Sequence, residues 1–234
     1  MYIFGLVAVI VLTIIIFIVK WIRKIRSHGN KMTLIVQPIN DNVLIDLTGN
    51  GKAIIDWGDG SKETHELKSE FWGWDKSGNI KHSYFTKSVH TITITGKDVT
   101  RLNCSNIGVE KLDVSKNKAL IFLHCSDNQL TSLNVSKNTS LEILYCSKNQ
   151  LTSLNLIGNI ALKELWCGNN QLSAAALDIL FGTLNTTLNL EVTKITNKII
   201  TILGNPGAYT CNRSIAEVKG WTMLEFVKWD FIEG

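Results

Sequence analysis

The chain has 234 residues, enough for one large domain or two small ones with a core that needs no metal or disulfide. Hydrophobic residues make up 45% and charged residues 19%, which excludes a disordered chain, and the 2 Pro and 17 Gly exclude collagen-like material. Five of the 24 basic residues lie in the first 31 positions, where no acidic residue occurs, so the remainder carries 19 basic and 20 acidic side chains. Without a basic face, nucleic acid is not an expected partner.

The first 31 residues have the pattern of a membrane anchor with a basic flank. Tyr2 to Val19 contains no charge and one aliphatic hydroxyl, that of Thr13, and the sequence KWIRKIR follows. This run nearly spans a hydrocarbon core of ~30 Å. We therefore predict a transmembrane helix over residues 2–22 in a single-pass protein, with an atypical signal peptide as the alternative. The basic flank favours a cytoplasmic location for the rest of the chain.

Residues 32–97 show the short alternating runs and Gly-rich turns of an all-β, immunoglobulin-like sandwich. The predicted strands are Met32 to Gln37, Val43 to Leu47, Ala53 to Trp57 and Thr91 to Thr95, with turns at Asn50-Gly51, Gly58-Asp59-Gly60 and Ser77-Gly78-Asn79. The segment IDWGDGS (55–61), with HSY (82–84) and TITITG (91–96), resembles the polycystic-kidney-disease-type β-sandwich. That resemblance implies a module of a cell-surface protein.

Residues 98–172 repeat with a period of 21. Two columns keep one residue type: Leu102, Leu123, Leu144 and Leu165 in one, and Cys104, Cys125, Cys146 and Cys167 in the other. Each half-repeat has the form LxxLxLxxN and predicts an asparagine ladder of Asn117, Asn128, Asn138, Asn149, Asn159 and Asn170. The pattern resembles leucine-rich repeats, specifically the irregular 21-residue kind of bacterial surface proteins. Because one copy cannot bury its own apolar face, the copies are expected to stack into a solenoid.

The cysteines are expected to fill the core. Four of the five stand at the inward position of the LxC stretch, where Leu or Val stands in the other half-repeat. Disulfides are an alternative, but the odd count argues against full pairing. A zinc site would need close pairs such as CxxC, and no two cysteines are closer than 21 residues. We therefore predict no metal and no cofactor.

Residues 173–234 are predicted to cap the solenoid with an α/β unit. Ser173 can N-cap a helix whose apolar stripe is Leu177, Leu180, Phe181 and Leu184. A strand from Lys198 to Leu203, a short helix from Asn212 to Lys219 and a strand from Trp221 to Phe226 follow. The string NPGAYTCNRSIAEVKGWT resembles the C-terminal cap of the same bacterial proteins.

The sequence gives little indication of an enzyme. Asp56 and Asp59 form a close carboxylate pair, which acid–base or metal chemistry could use, but a Gly-Asp-Gly turn explains them better. His65, His82 and His90 lack ligand-like spacing. The segment around TGNGKA (48–53) departs from the phosphate-binding-loop motif at two positions. Asp46 stands where the first Gly of the motif belongs, and Ala53 stands where Ser or Thr belongs.

A surface remains as the candidate site. Residues beside the inward leucines point outward on the strand face, and seven of them are predicted to form a partner-binding patch: Phe122, His124, Ile143, Tyr145, Trp166, Arg101 and Glu164. Interfaces are enriched in aromatic anchors. The alternative is that the cap or the sandwich covers this face.

We therefore expect a non-catalytic, membrane-anchored module that binds another protein. A carbohydrate ligand and a purely structural role as a spacer or scaffold are the alternatives. The location stays open, since flanking charge favours the cytoplasm and the family resemblance favours the cell surface.

Overall fold

The structure is a computed structural model and describes residues 30–39, 42–68, 79–186 and 198–225. In these ranges the chain forms strands and two helices. In chain order they are β1 (Lys31–Val36), β2 (Asn42–Asp56), β3 (Lys62–Leu67), β4 (Asn79–Ser83), β5 (His90–Asn103), β6 (Val109–Asp113), β7 (Phe122–His124), β8 (Ile143–Tyr145), β9 (Glu164–Trp166), α1 (Ala174–Thr183), β10 (Lys198–Thr201), α2 (Ser214–Glu217) and β11 (Trp221–Met223).

The N-terminal module is built around the long antiparallel pair of β2 and β5. The first half of β2 pairs with β4, its second half pairs with β3, and both halves pair with β5. The pairing shifts between Thr48 and Ala53, so the predicted turn at Asn50-Gly51 is instead an irregularity within one strand. A side chain at Gly49 would overlap the carbonyl oxygen of Asp98, which explains a glycine at this close approach of the two backbones.

The module and the repeats are joined through β1. This strand pairs antiparallel with β5 on one side and with β6, the second half of the first repeat, on the other. Leu34 faces Ile92 in one pairing and Leu112 in the other. The predicted boundary between residues 97 and 98 falls inside β5, and the domain bounds stay a prediction.

The repeats form the predicted stack of parallel coils. The end of β5, then β7, β8, β9, β10 and β11, pair in parallel, each strand with the next. The four leucines of the leucine column are fully buried, and so are the four cysteines of the cysteine column. The positions that repeat every 21 residues therefore form the core of a stacked solenoid.

The asparagine ladder connects each coil to the one before it. The amide nitrogen of Asn149 donates to the carbonyls of Cys125 and Cys146 at 2.9 and 3.1 Å, and its oxygen accepts from the backbone N–H of Leu130. Asn128 and Asn170 bond in the same way. These side chains satisfy backbone groups that the short strands leave unpaired.

The cap continues the solenoid for one more coil. Ile200 and Ile202 take the leucine and cysteine positions of the preceding coil, and Asn205 bonds to Cys167, Ile202 and Leu172 as a further rung of the ladder. Helix α1 begins at the N-cap Ser173, whose hydroxyl accepts from the N–H of Ala176.

One expectation about the architecture is wrong. No helix within the four described ranges is long and apolar enough to cross a membrane. This finding corrects the fold class with its N-terminal transmembrane helix and the single-pass membrane location. Residues 2–22, on which that prediction was placed, lie outside the described residues. The resemblance of residues 32–97 to the polycystic-kidney-disease-type sandwich is not confirmed, and the strands of this part share one hydrogen-bonded sheet with the repeats.

Candidate binding surface

The structure brings the seven predicted surface residues together. They form two sets whose members stand opposite one another in successive strands. One set is Arg101, Phe122, Ile143 and Glu164, and the other is His124, Tyr145 and Trp166. Side chains in register on adjacent strands point to the same face of a sheet. These residues therefore form two adjacent columns on the outward face of the parallel sheet, and we call them the aromatic surface.

The rings of the aromatic surface contact one another. Tyr145 lies in the centre, edge-to-face with Phe122 and with His124, each at a centroid distance of 5.4 Å. Tyr145 also stacks on Trp166 at 4.4 Å with an interplanar angle of 25°. Strands about 4.8 Å apart bring side chains of this size into contact. The rings thus form one continuous row across β7, β8 and β9.

This mutual packing makes the surface less exposed than the sequence pattern predicts. Phe122 and Tyr145 are buried, with exposed fractions of 6% and 8%. His124, Ile143, Trp166, Arg101 and Glu164 are half-buried. Since the central rings shield one another, the surface presents ring edges and partly covered side chains to the outside. The role of these residues in binding stays a prediction.

Polar and cation–π contacts hold two rings of the row. The guanidinium carbon of Arg101 lies 3.9 Å from the centroid of Phe122, and its Nε lies 3.3 Å from Oδ2 of Asp46. In the centre of the row the hydroxyl of Tyr145 donates to Oε1 of Glu164 at 2.7 Å. Arg101 and Glu164 therefore orient rings of the surface through contacts within the chain.

Burial changes the protonation of the surface. It lowers the pKa of His124 to about 4, with a smaller contribution from the charge of Arg101. It also raises the pKa of Tyr145, to which the hydrogen bond to Glu164 adds. At neutral pH the imidazole and the phenol are therefore both uncharged, and the centre of the surface is apolar.

Sequence reasoning missed Asp46 and the strand that carries it. Asp46 faces Asn103 in the β2–β5 pairing, so it stands in the column that continues to His124 and Tyr145. The sheet of the aromatic surface thus extends beyond the repeats into β2 and β4. The alternation of buried Val43, Ile45 and Leu47 could have indicated that Asp46 points outward.

The acidic pair considered for catalysis lies in a turn. Asp56 accepts from the N–H of Gly58 at 3.2 Å, and Asp59 accepts from the N–H and hydroxyl of Ser61. The Ser61 hydroxyl is the main cause that lowers the pKa of Asp59, which also bonds Nε2 of His82 at 2.7 Å. These carboxylates stabilise the turn, as the turn interpretation requires.

The histidines and cysteines form no evident chemical site in the described chain. His82 stacks on the buried Trp57 at 4.4 Å, and His90 stacks on Tyr84 at 3.9 Å. Within the described ranges no group of three or more His, Cys, Asp or Glu side chains could hold a metal ion. Every cysteine is a free thiol, and burial raises the pKa of Cys104 and Cys167 to about 12. Thiols of this kind are packing groups rather than nucleophiles.

The comparison with protein-family models agrees with the repeat. Residues 139–179 match the family model for leucine-rich repeats (2 copies), so this part of the chain carries leucine-rich repeats. A similar solved structure is the functional domain of InlJ from Listeria monocytogenes, which includes a cysteine ladder. It is 30% identical to this chain, with a TM-score of 0.37, and the match covers 51% of this chain and 23% of that one. The comparison with curated proteins gave no match.

Proposed function

We propose that this protein is a non-catalytic recognition module that binds another protein through the aromatic surface. The observation that carries the proposal is the unbroken row of contacting rings from Phe122 through Tyr145 to Trp166 on the outward face of the sheet. Interface anchors are enriched in such side chains, and their rigidity keeps the entropic cost of binding low. The resemblance of the repeats to those of bacterial surface proteins supports the same function.

The charged groups of the surface are paired within the chain, which leaves a largely apolar contact area for a partner. Arg101 is paired with Asp46 and Glu164 with the Tyr145 hydroxyl, while His124 is neutral. A partner therefore meets ring edges and the side chain of Ile143 in the centre, with oriented polar groups at the rim. This arrangement of apolar core and polar rim is typical of protein–protein interfaces.

A pair of variants on one coil tests the proposal. Ile143→Arg places a charge in the centre of the surface, and Ser153→Arg places the same charge at an exposed position of the second half of that coil. The wild-type chain serves as immobilised bait, its captured partner is identified and purified, and the affinity of that protein for each variant is measured.

We expect Ile143→Arg to weaken binding about tenfold or more, and Ser153→Arg to leave the affinity unchanged. Trp166→Ala should act in the same direction as Ile143→Arg. Thermal unfolding of each variant separates loss of binding from loss of fold. Equal affinities of the two arginine variants for the purified partner would refute the proposal.

The carbohydrate and scaffold alternatives predict different outcomes. A glycan-binding surface would retain labelled oligosaccharides in a binding screen and lose them in Trp166→Ala, since sugars stack on aromatic rings. A scaffold without a ligand on this face would tolerate Ile143→Arg in every binding assay. We infer protein recognition because the central rings stack on one another, which leaves mainly edges for a partner.

A further inference from the structure

The N-terminal module reaches the aromatic surface through a charged contact. The Nε of Arg101 is 3.3 Å from Oδ2 of Asp46, and the side chains keep only 18% and 12% of their accessible area. The same guanidinium lies over the ring of Phe122. Arg101 therefore touches the module on one side and the first ring of the surface on the other.

The backbone fixes the position of this contact. Asp46 and Arg101 stand on adjacent strands, in the register that pairs Asp46 with Asn103 and Thr48 with Arg101. The other carboxylate oxygen of Asp46, Oδ1, is buried and accepts no hydrogen bond from the described residues. Among these residues Arg101 is thus the group to which this carboxylate is bonded.

We propose that Asp46 is a positioning residue of the binding surface, through which the N-terminal module sets the place of Arg101 on Phe122. The inference rests on the proposed function, because the place of Arg101 matters to a partner only if the aromatic surface binds one. An arginine side chain has many rotamers, and a carboxylate at Nε restricts them. Without that restriction Arg101 would leave Phe122 uncovered and extend a mobile cation along the rim.

Three variants of the full chain separate this role from general stability. Asp46→Asn keeps an oxygen acceptor for Arg101 without the charge, and Asp46→Ala removes both the charge and the acceptor. The control Glu66→Gln breaks the Lys52–Glu66 ion pair, which belongs to the same module and is largely exposed.

The first measurement is the hydrogen-exchange rate of the Arg101 Nε–H, read by NMR together with the ring resonances of Phe122. We expect exchange about tenfold faster in Asp46→Ala, an intermediate rate in Asp46→Asn and the wild-type rate in Glu66→Gln. A merely structural role would alter stability without this graded, local signature. An unchanged exchange rate in Asp46→Ala would overturn the proposal. If Asp46→Ala fails to fold, an unchanged exchange rate in Asp46→Asn would overturn it instead.

The second measurement is the affinity of each folded variant for the purified protein captured by the wild-type chain. Asp46→Ala should weaken binding several-fold and Glu66→Gln should not. If Asp46→Ala binds normally while Ile143→Arg does not, the positioning role is wrong and the proposed function stands. If Ile143→Arg also binds normally, the proposed function fails, and the exchange rates still decide whether Asp46 holds Arg101.

Discussion

At the scale of single residues, the repeat imposes a backbone conformation that its sequence does not always suit. Asn106, Asp127, Lys148 and Asn169 stand at the same position of successive coils, and all have φ between 52° and 56°. Asn and Asp adopt this left-handed region readily, but a lysine does so at a cost. One coil therefore carries a strained residue.

Lys148→Asn is expected to stabilise the protein by ~0.5–1 kcal/mol, because Asn fits the left-handed conformation better. The exposed ion pair of Lys148 with Asp127, at 3.0 Å, offsets little of this gain. Urea unfolding measures the change. Lys137→Asn is the control, since Lys137 is exposed but is not among the residues with positive φ. A loss of stability in Lys148→Asn would show that the ion pair outweighs the backbone strain.

His124 makes stability depend on pH. Its pKa falls from 6.5 in the unfolded chain to about 4 in the fold, so the unfolded state takes up a proton first as the solution is acidified. The stability that the neutral His124 contributes is fully present above pH ~6.5. As the pH is lowered from ~6.5 to ~4, the free energy of unfolding should fall by ~1 kcal/mol per pH unit.

The test compares the wild-type chain with His124→Gln by urea unfolding across this pH window. The two proteins differ only at position 124, so the difference between the two curves isolates His124. We expect the curve of the variant to be flatter. Parallel curves would mean that His124 is as easily protonated in the fold as in the unfolded chain.

At the scale of elements, sequence reasoning succeeded where the repeat is regular. The columns of Leu123 and Cys125 and the ladder position of Asn149 could be placed by period alone, because stacking forces equivalent positions onto one another. Asn205 was missed as a rung, since 35 residues separate it from Asn170 instead of 21. Helix α1 lies in that longer interval and hides the period.

The candidate surface could be predicted in position but not in exposure. The alignment of the repeats predicts that Phe122, Tyr145 and Trp166 lie on neighbouring strands. Their burial depends on how the rings pack against one another, which the alignment does not show. Asp46 was missed because the pairing of β2 with β5 is non-local, and the turn signal at Asn50-Gly51 concealed that β2 is one long strand.

The ladder predicts two unequal asparagine substitutions. Asn149→Ala should cost ~2–4 kcal/mol, because buried backbone groups of three residues lose their partner. Asn117→Ala should cost less than ~1 kcal/mol, since its buried side-chain amide makes no hydrogen bond within the described chain. Chemical denaturation of both variants measures the difference. Equal costs would imply that burial of the amide matters more than its hydrogen bonds.

At the scale of the whole molecule, the module and the repeats share one continuous core. The buried cluster runs from Met32 and Trp57 in the module to Cys167 and Phe181 beside the last coils. Strand β1 pairs with both parts, and the backbone of Gln37 continues the contact by donating to the carbonyl of Gly108 at 2.9 Å. Two independent domains would lack such a connection, so the module and the repeats should unfold together.

Leu34→Ala tests this coupling, because Leu34 is fully buried in β1 between β5 and β6. Truncation of a buried leucine leaves a cavity and should cost ~2–5 kcal/mol. Hydrogen exchange then compares the most protected amides of β2 with those of β8, which lies two coils away from β1. With a shared core, both strands lose protection by the same free energy, whereas separate domains would confine the loss to β2. Leu151→Ala, in the third coil, is the reciprocal variant, and it should lower the protection of β2 as much as that of β8.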